Sequence, residues 1–221
     1  RPPKTLPKAK KGKKNQYFQK YSAHLEKGID RVEKKVRNTF GAGKETKYII
    51  WKKQLYIAEK PSVAQEFAKA LKLKTRRADG YLESDEAVIT WCVGHLVTMS
   101  YPEEYDPALK KWSLQTLPFI PSEFKYEVIP SVAKQFQIVS SLLNREDVDT
   151  IYVCTDSGRE GEYIYRLVEQ KAQVSGKKRL RVWIDSQTEE EILRGIREAK
   201  DLSEYDNLSA SAYLSREKKT I

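Results

Sequence analysis

Residues 151–166, IYVCTDSGREGEYIYR, constrain this chain more than any other stretch. Ile151, Tyr152, Val153 and Cys154 form a short apolar run, the mark of a strand buried on both faces of a parallel sheet. Ser157-Gly158 turns the chain sharply. Arg159-Glu160-Gly161-Glu162 then opens a helix that runs on through Tyr163, Ile164 and Leu167. A strand, a tight turn and a helix in that order fit an open α/β sheet, where ligands bind beyond the carboxyl ends of the strands. Asp156 stands at such an end, with Glu160 about one helical turn on and Glu162 following. Three carboxylates at one corner suit Mg²⁺, a hard cation often held by one or two carboxylates and a substrate phosphate. Acids also gather in the first turn of a helix for its dipole alone, and the spacing by itself leaves both readings open.

The wider string narrows them. TDSGREGE resembles the acidic signature of the Toprim domain, as carried by type IA DNA topoisomerases of the topoisomerase III kind. That signature is D-x-D-x-E followed by G-E; Asp156 and Glu160 match its first and last acids, and Gly158 stands in the place of the middle one. Three further stretches carry the same resemblance in the same order: LYIAEKPSVAQEFAKAL from Leu55, Gly94-His95-Leu96, and RVWIDSQTEEEI from Arg181. DLSEYDNLSASAYL, from Asp201, is similar to the start of the domain that follows Toprim in these enzymes. SREKKTI is not. The resemblance spans residues 53–214.

The resemblance implies roles. Glu59 becomes the general acid and base at the scissile bond, with Lys60 and Arg159 on the phosphate. Asp156, Glu160 and Glu162 become the Mg²⁺ ligands, and His95 lies toward the DNA. Asp185, another acid at a strand end, is a candidate substitute for the missing middle acid. The implied partner is DNA in single-stranded segments, cut and resealed by a tyrosine in a separate, downstream domain. None of the 13 tyrosines here has that setting, so the 221 residues alone are expected neither to cleave nor to relax DNA. Without the motif pattern, Glu59-Lys60 reads as a surface pair of little energetic weight, and Arg159 as a salt-bridge partner within the acidic cluster.

The rest of the chain supports an α/β fold: a Rossmann-like Toprim sheet of about four parallel strands flanked by helices. Strands are expected at 54–58, 87–94, 151–154 and 180–184, with a short edge strand at 126–129. Helices are expected from Pro61, over 131–144, from Arg159, and from Thr188, which with Glu191 forms a capping box. Residues 97–125 read as a long proline-broken loop whose aromatics Tyr105, Trp112 and Phe119 pack the loop rather than stack on bases.

Charge divides the molecule. Residues 1–50 hold 15 Lys/Arg against 4 Asp/Glu, whereas residues 51–221 hold 26 against 27, so all the excess of the net +10 is N-terminal. Residues 1–15 read as a structureless basic arm, with Lys10, Lys11, Lys13 and Lys14 placed to neutralise DNA phosphates; a solubilising tail is the plainer alternative. Residues 16–50 read as an amphipathic helix and linker, with an apolar stripe from Phe18 to Phe40. That stripe fits docking on the main domain, on the remaining topoisomerase domains or on another protein, with binding to a DNA surface as the sharper alternative. Residues 51–200 form the expected Toprim domain and 201–221 the beginning of the next. No run approaches the ~18 apolar residues of a membrane span, and no signal peptide is visible. Cys92 and Cys154 read as buried free thiols, so the expected location is cytoplasmic. Two other readings remain: a non-catalytic DNA-binding accessory protein acting through the basic arm, and another Toprim enzyme such as a nuclease or primase.

Overall fold

The computed structural model describes residues 52–111, 113–114, 116 and 119–220, with side chains as far as Arg216. The basic arm, the 16–40 helix, Lys10, Lys11, Lys13, Lys14 and Trp112 lie outside the described residues.

Strand β1 (Lys53–Ala58) is the centre of the sheet. Its alternation sends Leu55 and Ile57 to one face and Tyr56 and Ala58 to the other, and all four are buried. A strand buried on both sides needs a parallel neighbour on each edge and helices above and below. β4 (Ala87–Trp91) and β7 (Val148–Cys154) supply the edges, and β8 (Lys178–Arg181) extends the parallel set beyond β7. The parallel core therefore has the four strands expected.

The whole sheet is larger and mixed, in the order β2-β3-β4-β1-β7-β8-β9. β2 (Arg76–Ala78) and β3 (Tyr81–Glu83) form an antiparallel hairpin on one edge, and the two-residue β9 (Lys200–Asp201) closes the other. β5 (Val97–Met99) and β6 (Tyr126–Val128) form a separate two-stranded sheet. The expected 87–94 strand ends at Trp91, because Val93 and Gly94 take positive φ. In the loop between β5 and β6, Tyr105 and Phe119 meet edge to face at 5.1 Å.

Helix α1 (Pro61–Ala70) covers one face, packing Val63, Ala64 and Phe67 with Ile192 of α4 (Glu189–Arg197). Helices α2 (Ala133–Leu143) and α3 (Arg159–Ala172) cover the other, with Val139, Leu143, Ile164, Leu167 and Val168 against Leu55, Ile57, Ile151 and Val153. Helix α5 (Asp206–Thr220) lies on α3 and adds Ala212 to that layer. The helices that follow β1 and β7 thus leave opposite faces of the sheet. That divergence opens a crevice at the carboxyl ends of these two neighbours, the topological switch point where such sheets bind ligands. Among the described residues, no helix is long and apolar enough to cross a membrane.

Candidate functional site

Glu59 is the first residue beyond β1, and Asp156 lies two beyond the end of β7. The strand pairing brings the two tips together: Ala58 is opposite Cys154, and Glu59 Oε2 accepts the Asp156 N–H at 3.2 Å. Glu59 is 8% exposed. Burial raises its carboxyl above the usual range; the Asp156 N–H opposes that, and the nearby Asp156 carboxylate adds to it. A shift in this direction makes the carboxyl hold its proton more readily, which suits a general acid.

A second loop wraps the same tip. The Cys92 N–H donates to Ala58 O at 2.9 Å and the Gly94 N–H to Glu59 O at 3.1 Å. To make both bonds, Val93 adopts φ +48° and Gly94 φ +81°. Positive φ is strained for a β-branched residue, and strain of this kind collects where geometry serves a site. The turn delivers His95, whose Nε2 lies 2.6 Å from Glu160 Oε1.

Beneath the other tip, the turn from Asp156 into α3 is fastened at several points. Thr155 Oγ1 donates to Gly161 O at 2.8 Å. The helix approaches so closely that a Cβ on Gly161 would stand 2.0 Å from Asp156 O. Ser157 Oγ donates to Ile184 O and accepts the Ile184 N–H. Arg181, fully buried, donates to the carbonyls of Val153, Thr155 and Asp156 at 3.1, 2.7 and 2.7 Å. This arginine holds the carbonyl string that aims Asp156, and sequence reasoning missed it. Its only sequence signal is one basic residue between the apolar positions of Leu180-Arg181-Val182-Trp183-Ile184.

Glu162 departs from expectation. It is fully buried, with Oε2 3.0 Å from Arg181 Nε and Oε1 accepting from Arg166 Nε at 2.8 Å. The Arg181 contact is an ion pair whose angle falls short of a hydrogen bond. Glu162 therefore faces into the domain, away from Asp156 and Glu160, and anchors Arg181 instead of joining an exposed acidic set. The capping box departs too: Thr188 Oγ1 accepts the Glu191 N–H, but the Glu191 carboxylate takes the Asp185 N–H instead of returning to Thr188.

Glu160 projects from the first turn of α3, its side chain 52% exposed. Partial burial works to raise its carboxyl, and hydrogen bonds from Arg216 and His95 outweigh it and hold the group low. Lys60, at the start of α1, and Arg159, at the start of α3, are exposed and outside the ion pairs of the described residues. Gly158 has extended backbone with open space around its missing side chain.

Among the described residues, no three His, Cys, Asp or Glu side chains converge on one point, Asp185 included. Asp156, just past the end of β7, and Glu160, in the first turn of α3, are both exposed. Two carboxylates fit a Mg²⁺ ion that keeps most of its water and takes further oxygens from a phosphate.

A family model described as the Toprim domain matches residues 54–186. DNA topoisomerase 3 of Bacillus thuringiensis is 46% identical over 160 residues, which cover 72% of this chain and 22% of that protein. DNA topoisomerase 3 of Staphylococcus epidermidis is 43% identical over 161 residues, with the same coverage. The chain thus spans about a fifth of the length of the curated relatives it matches.

Proposed function

Because the chain belongs to the Toprim domain family, we propose that it is the acid–base, metal- and phosphate-handling part of a type IA DNA topoisomerase. The observation that carries this reading is the meeting of Glu59 and Asp156 across the β1–β7 crevice, with the Glu59 carboxyl buried and raised.

In this reading Glu59 gives its proton to the leaving 3′-oxygen when a strand is cut and takes it back on resealing. Burial and the adjacent Asp156 carboxylate keep that proton available. Lys60 and Arg159, both exposed and outside the ion pairs of the described residues, reach the phosphate. Arg181 and Glu162 set the Asp156 turn from below. Asp156 and Glu160 would hold Mg²⁺, which supplies positive charge to screen the phosphate and align the ends. In this reading none of the described residues serves as the tyrosine that attacks DNA.

Calorimetric titration of Mg²⁺ into the chain, with single-stranded oligonucleotide anisotropy measured with and without Mg²⁺, tests the reading. Asp156→Asn weakens Mg²⁺ by at least about tenfold, the loss that removing even an outer partner brings, and abolishes the Mg²⁺-dependent gain in DNA affinity. Glu59→Gln keeps both. Equal Mg²⁺ affinity in Asp156→Asn and the parent would overturn it.

The charge asymmetry favours a second reading, an accessory DNA-binding role of the first 50 residues, where all the excess positive charge lies.

A further inference from the structure

Helices α3 and α5 run antiparallel and meet in three rungs. At one end Arg166 Nη2 lies 2.9 Å from Asp206 Oδ1. In the middle the Tyr163 and Tyr213 rings pack edge to face at 5.1 Å. At the other end Arg216 bonds Glu160, its guanidinium also over the Tyr163 ring at 5.6 Å from the centroid. The rungs step by three residues each time on α3 and by seven and then three on α5, spacings that keep them on one face. Two lower rungs fix the register, and the register carries Arg216 to the acid. The contact therefore follows from how the helices pack and is not a chance meeting of surface side chains. Arg216 belongs to the SREKKTI segment, where resemblance to type IA topoisomerases stops.

Glu160 Oε1 accepts from His95 and Arg216 together. It belongs to one of the two exposed carboxylates that follow β7, both outside the buried Arg181 pair. A divalent cation at that oxygen has to displace one of the two donors, and a guanidinium held there repels a cation brought to the other oxygen of the same carboxylate. We propose that Arg216 is a tethered cation that competes with a divalent metal for Glu160, so that metal binding and docking of the last turn of α5 oppose each other. The proposal rests on the reading of Asp156 and Glu160 as metal ligands. Linkage makes the effect reciprocal: whatever Arg216 subtracts from metal affinity, bound metal subtracts from the docking of α5.

Calorimetric Mg²⁺ titration of the full chain, beside amide hydrogen exchange, tests it. Arg216→Gln binds Mg²⁺ about two- to fivefold more tightly, the range expected for a half-exposed ion pair. Arg216→Lys, which keeps the charge, stays near the parent. In the parent chain, saturating Mg²⁺ speeds exchange of amides in residues 213–220 and leaves those of 163–170 unchanged. If Asp156→Asn abolishes binding but Arg216→Gln binds no more tightly than the parent, the competition is overturned while the metal site stands. Exchange in 213–220 that ignores Mg²⁺ overturns it equally, whatever the variants do. If neither the parent nor Arg216→Gln binds Mg²⁺, the metal reading falls and the competition with it.

Discussion

Two glycines three residues apart do opposite things in the Asp156 turn. Gly161 is a close approach: a Cβ there meets Asp156 O at 2.0 Å, and backbone cannot yield as a flexible side chain can. Gly161→Ala is expected to cost about 1–3 kcal/mol, as overpacking does, and to displace Asp156, so Mg²⁺ affinity falls together with the urea midpoint. Gly158 is an open place, extended and with nothing within reach of an added Cβ. Gly158→Asp is expected to leave stability within a few tenths of a kcal/mol, since Asp and Gly are both good residues at a helix start. It restores an acid beside Asp156 and Glu160, and titration should show tighter Mg²⁺; weaker binding would mean that the introduced carboxylate points away from the other two. These residues also mark what could be read in advance. The place of Asp156 at a strand end is legible in the strand-turn-helix pattern, whereas Glu59 and His95 stand out only through the motifs of the resemblance. Glu162 was misplaced because residues two apart on a helix do not face each other, so an acid two positions after Glu160 points into the domain. Arg181 was missed because a charged residue in a short strand reads as solvent-facing unless its buried partners are known.

At the opposite end of the sheet from the crevice, a charged cluster ties separate elements together. Lys53 of β1 and Arg145 of the α2–β7 turn both bond Glu83 of β3, and Arg145 also pairs with Asp147. Burial works to raise the Glu83 carboxyl, and hydrogen bonds from Lys53 and Arg145 outweigh it and hold it below its ordinary 4.5. The Arg145 hydrogen bond holds Asp147 below 3.8 against the opposing effect of burial. Both acids thus bind protons less readily folded than unfolded. Their contribution to stability is present above the ordinary values and lost as pH falls through the depressed ones. Urea midpoints should drop as pH falls below about 5, and the drop should be smaller in Glu83→Gln, which is already weaker at neutral pH. An unchanged drop would show that other acids govern acid unfolding. The hairpin that carries Glu83 went unread although Asp79-Gly80, a strong two-residue hairpin signal, lies in its turn. Its strands of three residues are too short and too polar for alternation to show. β4 was read too long because Cys92-Val93-Gly94 continues an apolar run, and only the bonds to Ala58 and Glu59 reveal that the chain bends there.

For the whole molecule, the two functional readings make different demands on salt. Residues 51–221 are nearly neutral and hold the crevice, whereas residues 1–50 hold the excess charge. Binding of single-stranded DNA through Lys and Arg releases counterions, and the slope of log affinity against log salt is about 0.7 per phosphate neutralised. If the arm carries the binding, replacing Lys10, Lys11, Lys13 and Lys14 with Gln in the full chain flattens that slope by about 3. Mg²⁺ affinity, set by Asp156 and Glu160, should not change, because the substituted residues belong to neither element of the crevice. If Lys60 and Arg159 carry it, the fourfold variant changes the slope by less than about 1, and Lys60→Gln with Arg159→Gln lowers it instead. Measured side by side on one oligonucleotide, the two variants assign the phosphate contacts to the arm or to the strand tips. A Toprim domain that handles phosphate at its crevice requires the second pattern, at least in the presence of Mg²⁺; the first pattern in both conditions would transfer DNA binding to the N-terminal segment.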